Sequence, residues 1–112
     1  MRFQAPRGTF DILPNEEDTW NQVQHACFET ARLFGYRYIE TPIFEESGLF
    51  ERTVGEDTDI VEKEMYSFED KGGENISLRP ENTAGVCRAF IENGLHNTTL
   101  PSRLFYYGPM FR

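Results

Sequence analysis

The sequence contains few of the residues that build metal sites and disulfide frameworks. It has two cysteines, Cys27 and Cys87, no Cys-x-x-Cys pair, and two histidines, His25 and His96, that are far apart in the chain. No metal-binding residue is therefore predicted. Each cysteine lies on the apolar side of a predicted helix, which favours buried free thiols over a disulfide. We expect both histidines to be surface or packing residues.

Long apolar runs and clusters of positive charge are also scarce. No stretch approaches the ~20 apolar residues of a membrane span, and the first residues lack the apolar core of a signal peptide, so we expect a cytoplasmic protein without a membrane partner. Lysine and arginine number 11 against 19 acidic residues, and the formal net charge is -8. Since sequence-independent nucleic-acid binding needs clustered positive charge, any contact with nucleic acid should be local.

The 112 residues are enough for one small core. Hydrophobic residues make up 38% of the chain and aromatic residues 14%, but a chain of this size does not easily enclose a large substrate pocket. Residues 103–112 have the pattern of a buried strand, and a self-sufficient domain rarely ends on such a strand. We therefore expect the chain to be the N-terminal fragment of a larger protein.

The first half of the chain predicts a long helix followed by an interrupted strand. The helix is expected over residues 14–34, because a proline opens it and a glycine follows it. Its apolar stripe consists of Trp20, Val23, Cys27, Ala31 and Phe34. Residues 36–41 then favour a strand that Pro42 interrupts. Two interpretations of Pro42 stay open: a sheet margin that meets another subunit, and a simple strand end.

The second half predicts shorter elements. Residues 46–52 favour a short helix, and residues 54–64, with five acidic side chains, favour a solvated loop. Residues 65–69 and 75–79 alternate in polarity on either side of Gly72-Gly73, which predicts a hairpin. These glycines indicate a turn rather than a phosphate loop, since the Lys-Ser/Thr pair of such a loop does not follow them.

Polar chemistry is concentrated at the junction Leu78-Arg79-Pro80-Glu81-Asn82-Thr83-Ala84-Gly85. Its proline ends a strand, and a helix capped by Asn82 or Thr83 is expected over residues 84–93. The apolar residues of that helix at helical spacing are Val86, Cys87, Phe90 and Ile91. Glu81 lies at the corner, where a carboxylate can cap backbone N–H groups or hold a cation such as an amino group. Local sequence alone favours the capping role, because caps are commoner than sites.

Four stretches together resemble one family, the histidyl-tRNA synthetases of class II. Residues 3–14 and 35–42 resemble its N-terminal arm and motif 1. The stretches that resemble its histidine-specific segment and the opening of motif 2 are Val54-Gly55-Glu56-Asp57-Thr58-Asp59-Ile60-Val61-Glu62-Lys63-Glu64-Met65-Tyr66, Leu78 to Gly85, and Tyr107-Gly108-Pro109-Met110-Phe111-Arg112. The likeness puts motif 1 at about 20–44, the histidine-binding segment at 54–85 and the start of motif 2 at 103–112.

The resemblance implies roles for individual residues. In the family, the glutamate and threonine that match Glu81 and Thr83 contact the α-amino group of bound histidine. The arginine that matches Arg112 is a catalytic residue that contacts the α-phosphate of ATP. Pro42 would be the motif 1 proline at the interface of a homodimer. The acidic segment at residues 56–59 would lie near the active site, without an assigned role.

The resemblance also implies a fold and a reaction. The fold would be α+β, part of the class II antiparallel sheet flanked by helices. The reaction would be activation of histidine with ATP, accompanied by Mg2+, followed by transfer to tRNA(His). Since the rest of motif 2, motif 3 and the anticodon-binding domain would lie beyond residue 112, we expect the fragment alone to be inactive. Two alternatives stay open: a regulatory paralogue from histidine biosynthesis that does not aminoacylate tRNA, and a free-standing dimerisation module.

Overall fold

A helix dominates the first of two compact units, Met1–Tyr36 and Arg37–Arg112, into which the computed structural model divides the chain. The structure describes residues 2–55, 58–99 and 101–112. A 3-10 turn at Pro14–Glu16 leads into helix α1, Glu17–Leu33, as predicted. Phe10 of the preceding arm stacks on Trp20, with the ring centroids 6.2 Å apart.

The apolar stripe of α1 is largely open to solvent. Val23 and Phe34 are exposed and Trp20 is only half-buried. Cys27 is a free thiol, but it is exposed, so the prediction of a buried thiol is wrong. The reason is that helical periodicity identifies an apolar face without supplying the layer that covers it.

A three-stranded antiparallel sheet is the centre of the second unit. Its order is β2 (Phe44–Glu46), β4 (Asn75–Leu78) and β3 (Ser67–Glu69), so that β4 lies in the middle and β2 at an edge. The predicted hairpin of β3 and β4 is confirmed, with Phe68 opposite Ile76. Its turn is held by the carboxylate of Asp70, which accepts hydrogen bonds from two backbone N–H groups of the turn.

A second, two-stranded sheet joins distant parts of the same unit. Strands β1 (Arg37–Tyr38) and β5 (Leu104–Phe105) are parallel, with Arg37 opposite Leu104. Pro42 separates β1 from β2, which confirms the interrupted strand and leaves the two halves in different sheets. The long buried strand predicted over residues 103–112 is wrong. Only β5 forms there, and it is half-buried. The segment after it does not continue the strand, because the backbone N–H of Phe111 donates instead to the carbonyl of Arg79.

Four helical segments complete the described part of the second unit, and the last of them is a 3-10 turn at Leu95–Asn97. Helices α2 (Ser47–Val54) and α3 (Thr83–Glu92) confirm the predicted helices, whereas Ile60–Glu64 forms a π-helical turn where a loop was predicted. Residues 56 and 57 of the acidic segment lie outside the described residues. The core contains Phe50, Ala84 and Ala89.

Helix α3 buries a different face from the one that its apolar pattern predicted. Ala84, Gly85 and Ala89 are buried, whereas Ile91 is 67% exposed. The thiol of Cys87 is exposed as well, so its predicted burial is wrong. Val86 and Phe90, the other two residues of the predicted stripe, are half-buried. Small side chains let the helix approach its neighbours closely.

The architecture as a whole is α+β, as predicted. Among the described residues, no helix combines the length and the apolar character that crossing a membrane requires.

Candidate functional site

The predicted site lies where β4 turns into α3. Strand β4 ends at Leu78, two buried residues follow, and α3 begins at Thr83. The first turn of a helix presents unpaired backbone N–H groups and the positive end of the helix dipole. The corner therefore offers an environment in which a carboxylate is stabilised.

Glu81 uses that environment. Its Oε2 accepts a hydrogen bond from the backbone N of Thr83 at 2.6 Å, and its Oε1 lies 3.3 Å from the backbone N of Ala84. The capping role that local sequence favours is thus the one visible in the geometry. A carboxylate has about four lone-pair positions, so these contacts leave room for a cation on the half-buried side chain.

Thr83 faces a segment that follows β5. Its Oγ1 lies 3.3 Å from the hydroxyl of Tyr106, and both residues are exposed. Sequence reasoning did not select Tyr106. The only signal was its place in an apolar run, where an aromatic residue is usually part of a core.

Arg79 ties the corner to two other segments of the chain. Its side chain is buried, its Nε donates to the carbonyl of Pro109 at 2.9 Å, and its Nη1 donates to the carbonyl of Thr41 at 3.2 Å. Its backbone is used in the same way: the N donates to the carbonyl of Ile43 and the carbonyl accepts from the N of Phe111, both at 2.8 Å.

The bond from Phe111 to Arg79 brings the segment that contains Arg112 alongside the corner. Arg112 is exposed, and so is Thr83, whereas Glu81 is half-buried. Three of the four predicted site residues therefore belong to two neighbouring segments. Their chemistry is complementary, since a carboxylate can hold an ammonium group and a guanidinium can grip phosphate oxygens in two places.

The fourth predicted site residue, Pro42, borders a cleft that none of the other three residues lines. Pro42 is exposed, and this open cleft of about 670 Å³ also borders the ion pair of half-buried Arg88 and buried Glu45. In that pair, Nε and Nη2 of Arg88 donate hydrogen bonds to the two carboxylate oxygens of Glu45, each at 2.9 Å. The hydrogen bond to Glu45 raises the pKa of Arg88 above its ordinary value. The cleft therefore has charged side chains in its wall, and the guanidinium of Arg88 is held by two hydrogen bonds.

A tyrosine beside the site has a perturbed pKa. The hydroxyl of Tyr38 donates to Glu40 Oε1 at 2.8 Å, and this bond raises the pKa of Tyr38, with burial as a smaller cause. Both effects favour the protonated phenol.

Comparison with known proteins identifies one family. The family model described as histidyl-tRNA synthetase matches residues 8–112. A histidine–tRNA ligase of Desulforudis audaxviator is 54% identical over 112 residues, which are 100% of this chain and 27% of that protein. The chain thus spans about a quarter of that relative's length.

Two solved structures are similar as well. The apo histidyl-tRNA synthetase of S. aureus is 41% identical with a TM-score of 0.83, covering 99% of this chain and 30% of that one. A protein of Bacillus halodurans described as an ATP phosphoribosyltransferase regulatory subunit/histidyl-tRNA synthetase is 31% identical with a TM-score of 0.73, covering 95% and 27%. Since the family model matches nearly the whole chain, this chain belongs to the histidyl-tRNA synthetase family.

Proposed function

We propose that the chain is the amino-terminal part of a histidine–tRNA ligase. In this proposal motif 1 lies at about residues 20–44, the histidine-binding segment at 54–85 and the start of motif 2 at 103–112. The observation that carries the proposal is the backbone hydrogen bond from Phe111 to Arg79, because it sets the segment of Arg112 beside the corner that holds Glu81.

The reaction begins when an oxygen of the histidine carboxylate attacks the α-phosphorus of ATP. The new O–P bond gives histidyl-adenylate, and the bond to the leaving pyrophosphate breaks. Glu81 and Thr83 hold the α-amino group, while Arg112 grips the α-phosphate and offsets the charge that develops there. Catalysis then depends mainly on positioning, with little covalent work for the protein. Transfer to the terminal ribose of tRNA(His) follows.

Further properties belong to the longer protein. We propose that it is a cytoplasmic homodimer with Pro42 at the two-fold interface, a role that its exposure beside an open cleft permits. The described residues contain no group of three His, Cys, Asp or Glu side chains suited to a metal ion. We propose that Mg2+ accompanies ATP, bound to its phosphate oxygens.

The ligase proposal is tested by histidine-dependent exchange of pyrophosphate into ATP. The full-length protein should catalyse this exchange, whereas the 112-residue chain should not, since only the first residues of motif 2 are present. Histidine- and tRNA-dependent turnover by the short chain would contradict the proposed division of the site.

Replacing Glu81 with glutamine in the full-length protein tests the amino-group contact. The change should weaken histidine binding by about 1.5–3 kcal/mol, the loss of a charge-assisted hydrogen bond. Glu17→Gln, the same change at an exposed position at the start of α1 and outside the proposed segments, is the matched control and should leave histidine binding unchanged. If Glu81 is only a cap, its glutamine variant will lose thermal stability and keep its KM for histidine.

A regulatory paralogue that binds histidine without aminoacylating tRNA is the second candidate. The observation that favours it is the similarity to the Bacillus halodurans protein, whose description includes a regulatory subunit. Arg79, Glu81, Thr83 and Arg112 all have the identity expected of the enzyme, which supports the ligase. Binding of histidine without pyrophosphate exchange by the full-length protein would favour the paralogue.

A free-standing dimerisation module is the third candidate. Sedimentation of the 112-residue chain distinguishes it: a stable, folded dimer would support the module, and a monomer or an aggregate would count against it.

A further inference from the structure

We infer that Arg79 is a positioning residue for the phosphate side of the site: its guanidinium fixes the path of residues 108–112 and thereby the position of Arg112. The inference rests on the proposed function, and it adds a residue to which neither the family resemblance nor the proposed reaction gives a role. Four observations carry it.

The first observation is the burial of a cation whose hydrogen bonds go to backbone carbonyls. Arg79 is 5% exposed, and within the described part of the chain it forms no ion pair with a carboxylate. Burying an arginine without an anion is costly unless its hydrogen bonds are made. Here they run to the carbonyls of Thr41 and Pro109, so the side chain acts as a bridge between two chain segments.

The second observation is the close fit at Gly108. A Cβ placed on Gly108 would lie 2.6 Å from Nη2 of Arg79, closer than real Cβ atoms approach another atom. Gly108 is not among the glycines that have a positive φ, so its backbone conformation does not demand glycine. The missing side chain instead makes space for the guanidinium.

The third observation is that the backbone of Arg79 binds the same two segments as its side chain. Its N–H donates to Ile43, two residues after Thr41, and its carbonyl accepts from Phe111, two residues after Pro109. Side chain and backbone together hold the segment before Arg112 at two points, which leaves little freedom to the residue that follows.

The fourth observation concerns the other side of the site, which is held independently. Glu81 is fixed by backbone N–H groups of α3, at Thr83 and Ala84. Disturbing Arg79 should therefore displace Arg112 more than Glu81. The expected signature is a defect in ATP binding with nearly normal histidine binding.

Kinetics of the full-length protein test this signature. In Arg79→Lys, the KM for ATP in pyrophosphate exchange should rise about tenfold and the KM for histidine less than twofold, because an ammonium group cannot reproduce the planar fork that reaches two carbonyls. Arg2→Lys, the same change at an exposed position outside the three proposed motif segments, is the control and should change neither KM. Equal rises in both KM values, or no rise, would overturn the inference.

Gly108→Ala provides a second route that leaves Arg79 in place. It should also raise the KM for ATP, since its Cβ displaces Nη2. Adding Arg79→Lys to Gly108→Ala should cost less than the product of the two separate effects, because the clashing atom is gone. Fully multiplicative effects would show that the two residues do not act together.

Hydrogen exchange gives a readout that does not depend on the reaction. The amide of Phe111, which donates to Arg79, should exchange about tenfold faster in Arg79→Lys than in the parent, and unchanged protection would overturn the inference. If the parent protein shows no histidine-dependent exchange of pyrophosphate, the proposed function fails, and the Phe111 amide still decides whether Arg79 holds the segment.

Discussion

Replacing Gly85 with alanine should destabilise the protein, although the same change in an ordinary helix is stabilising. Gly85 is buried in the first turn of α3. A Cβ at this position would lie 2.9 Å from Oδ1 of Asn82, 3.1 Å from Oε2 of Glu45 and 3.2 Å from Oγ1 of Thr41. The new methyl group would therefore enter a ring of polar atoms.

The magnitude follows from how firmly those atoms are held. Thr41 Oγ1 donates to Asn82 Oδ1 at 2.8 Å, and Glu45 is bound by both arms of Arg88 at 2.9 Å. Overpacking such a site costs about 1–3 kcal/mol, and loosening one hydrogen bond costs about 1 kcal/mol more. The gain in helix propensity is only about 0.5–1 kcal/mol. The free energy of unfolding should therefore fall by about 1–3.5 kcal/mol, the difference between these terms.

Gly48→Ala is the matched control. Gly48 lies in the first turn of α2, and nothing is within 4 Å of a Cβ placed there. That variant should gain about 0.5–1 kcal/mol from propensity alone. Urea unfolding followed by circular dichroism measures both changes. If Gly85→Ala proves as stable as Gly48→Ala, the polar ring yields at no cost and the reasoning is wrong.

Three further predictions concern hydrogen bonds of the second unit. Ser77→Ala should lower the free energy of unfolding by about 1–2 kcal/mol in urea titrations, because the fully buried hydroxyl bridges two other serines at 2.6 and 2.7 Å. Arg88→Lys should cost about 1 kcal/mol in the same assay, since lysine cannot bind both oxygens of Glu45; an unchanged midpoint would contradict this. Glu40→Gln should lower the pKa of Tyr38 toward the ordinary value, measured by the absorbance of the phenolate. In the parent, the raised pKa of Tyr38 stabilises the folded state below pH ~10, and this contribution is lost as the pH rises through the folded-state pKa.

The elements that could be predicted from the sequence are those with local causes. Helix α1 begins after a proline and ends before Gly35, whose φ of 82° suits the left-handed region. The hairpin follows from turn residues between two alternating strands. These signals lie within a few residues of the structure that they determine, so the chain specifies them without reference to distant contacts.

Burial could not be predicted in the same way. The pattern of α3 selected the face with Cys87 and Ile91, but the face with Ala84 and Ala89 is buried. Periodicity says which residues share a face, while the neighbouring elements decide which face is covered. Close packing against those neighbours favours small residues here, a tertiary effect that residue counts do not contain.

The residues of the candidate site also differ in whether their role has a local cause in the sequence. Glu81 could be selected as a candidate because a carboxylate at a strand-to-helix corner can either cap the helix or hold an ammonium group, and the observed geometry is compatible with both roles. A side chain already ordered by the 2.6 Å bond from Thr83 loses little further freedom when it binds a ligand.

Arg79 could not be found by such reasoning. In the sequence it is only a polar residue in an alternating strand pattern. Its hydrogen bonds go to two carbonyls that are 38 and 30 positions away in the chain, and no local pattern indicates them. The need for a glycine at position 108 likewise becomes visible only from its close approach to the guanidinium of Arg79. Candidate ligand-contacting residues at a corner can thus be selected one at a time, whereas a residue that connects two distant chain segments is visible only after those segments have been brought together.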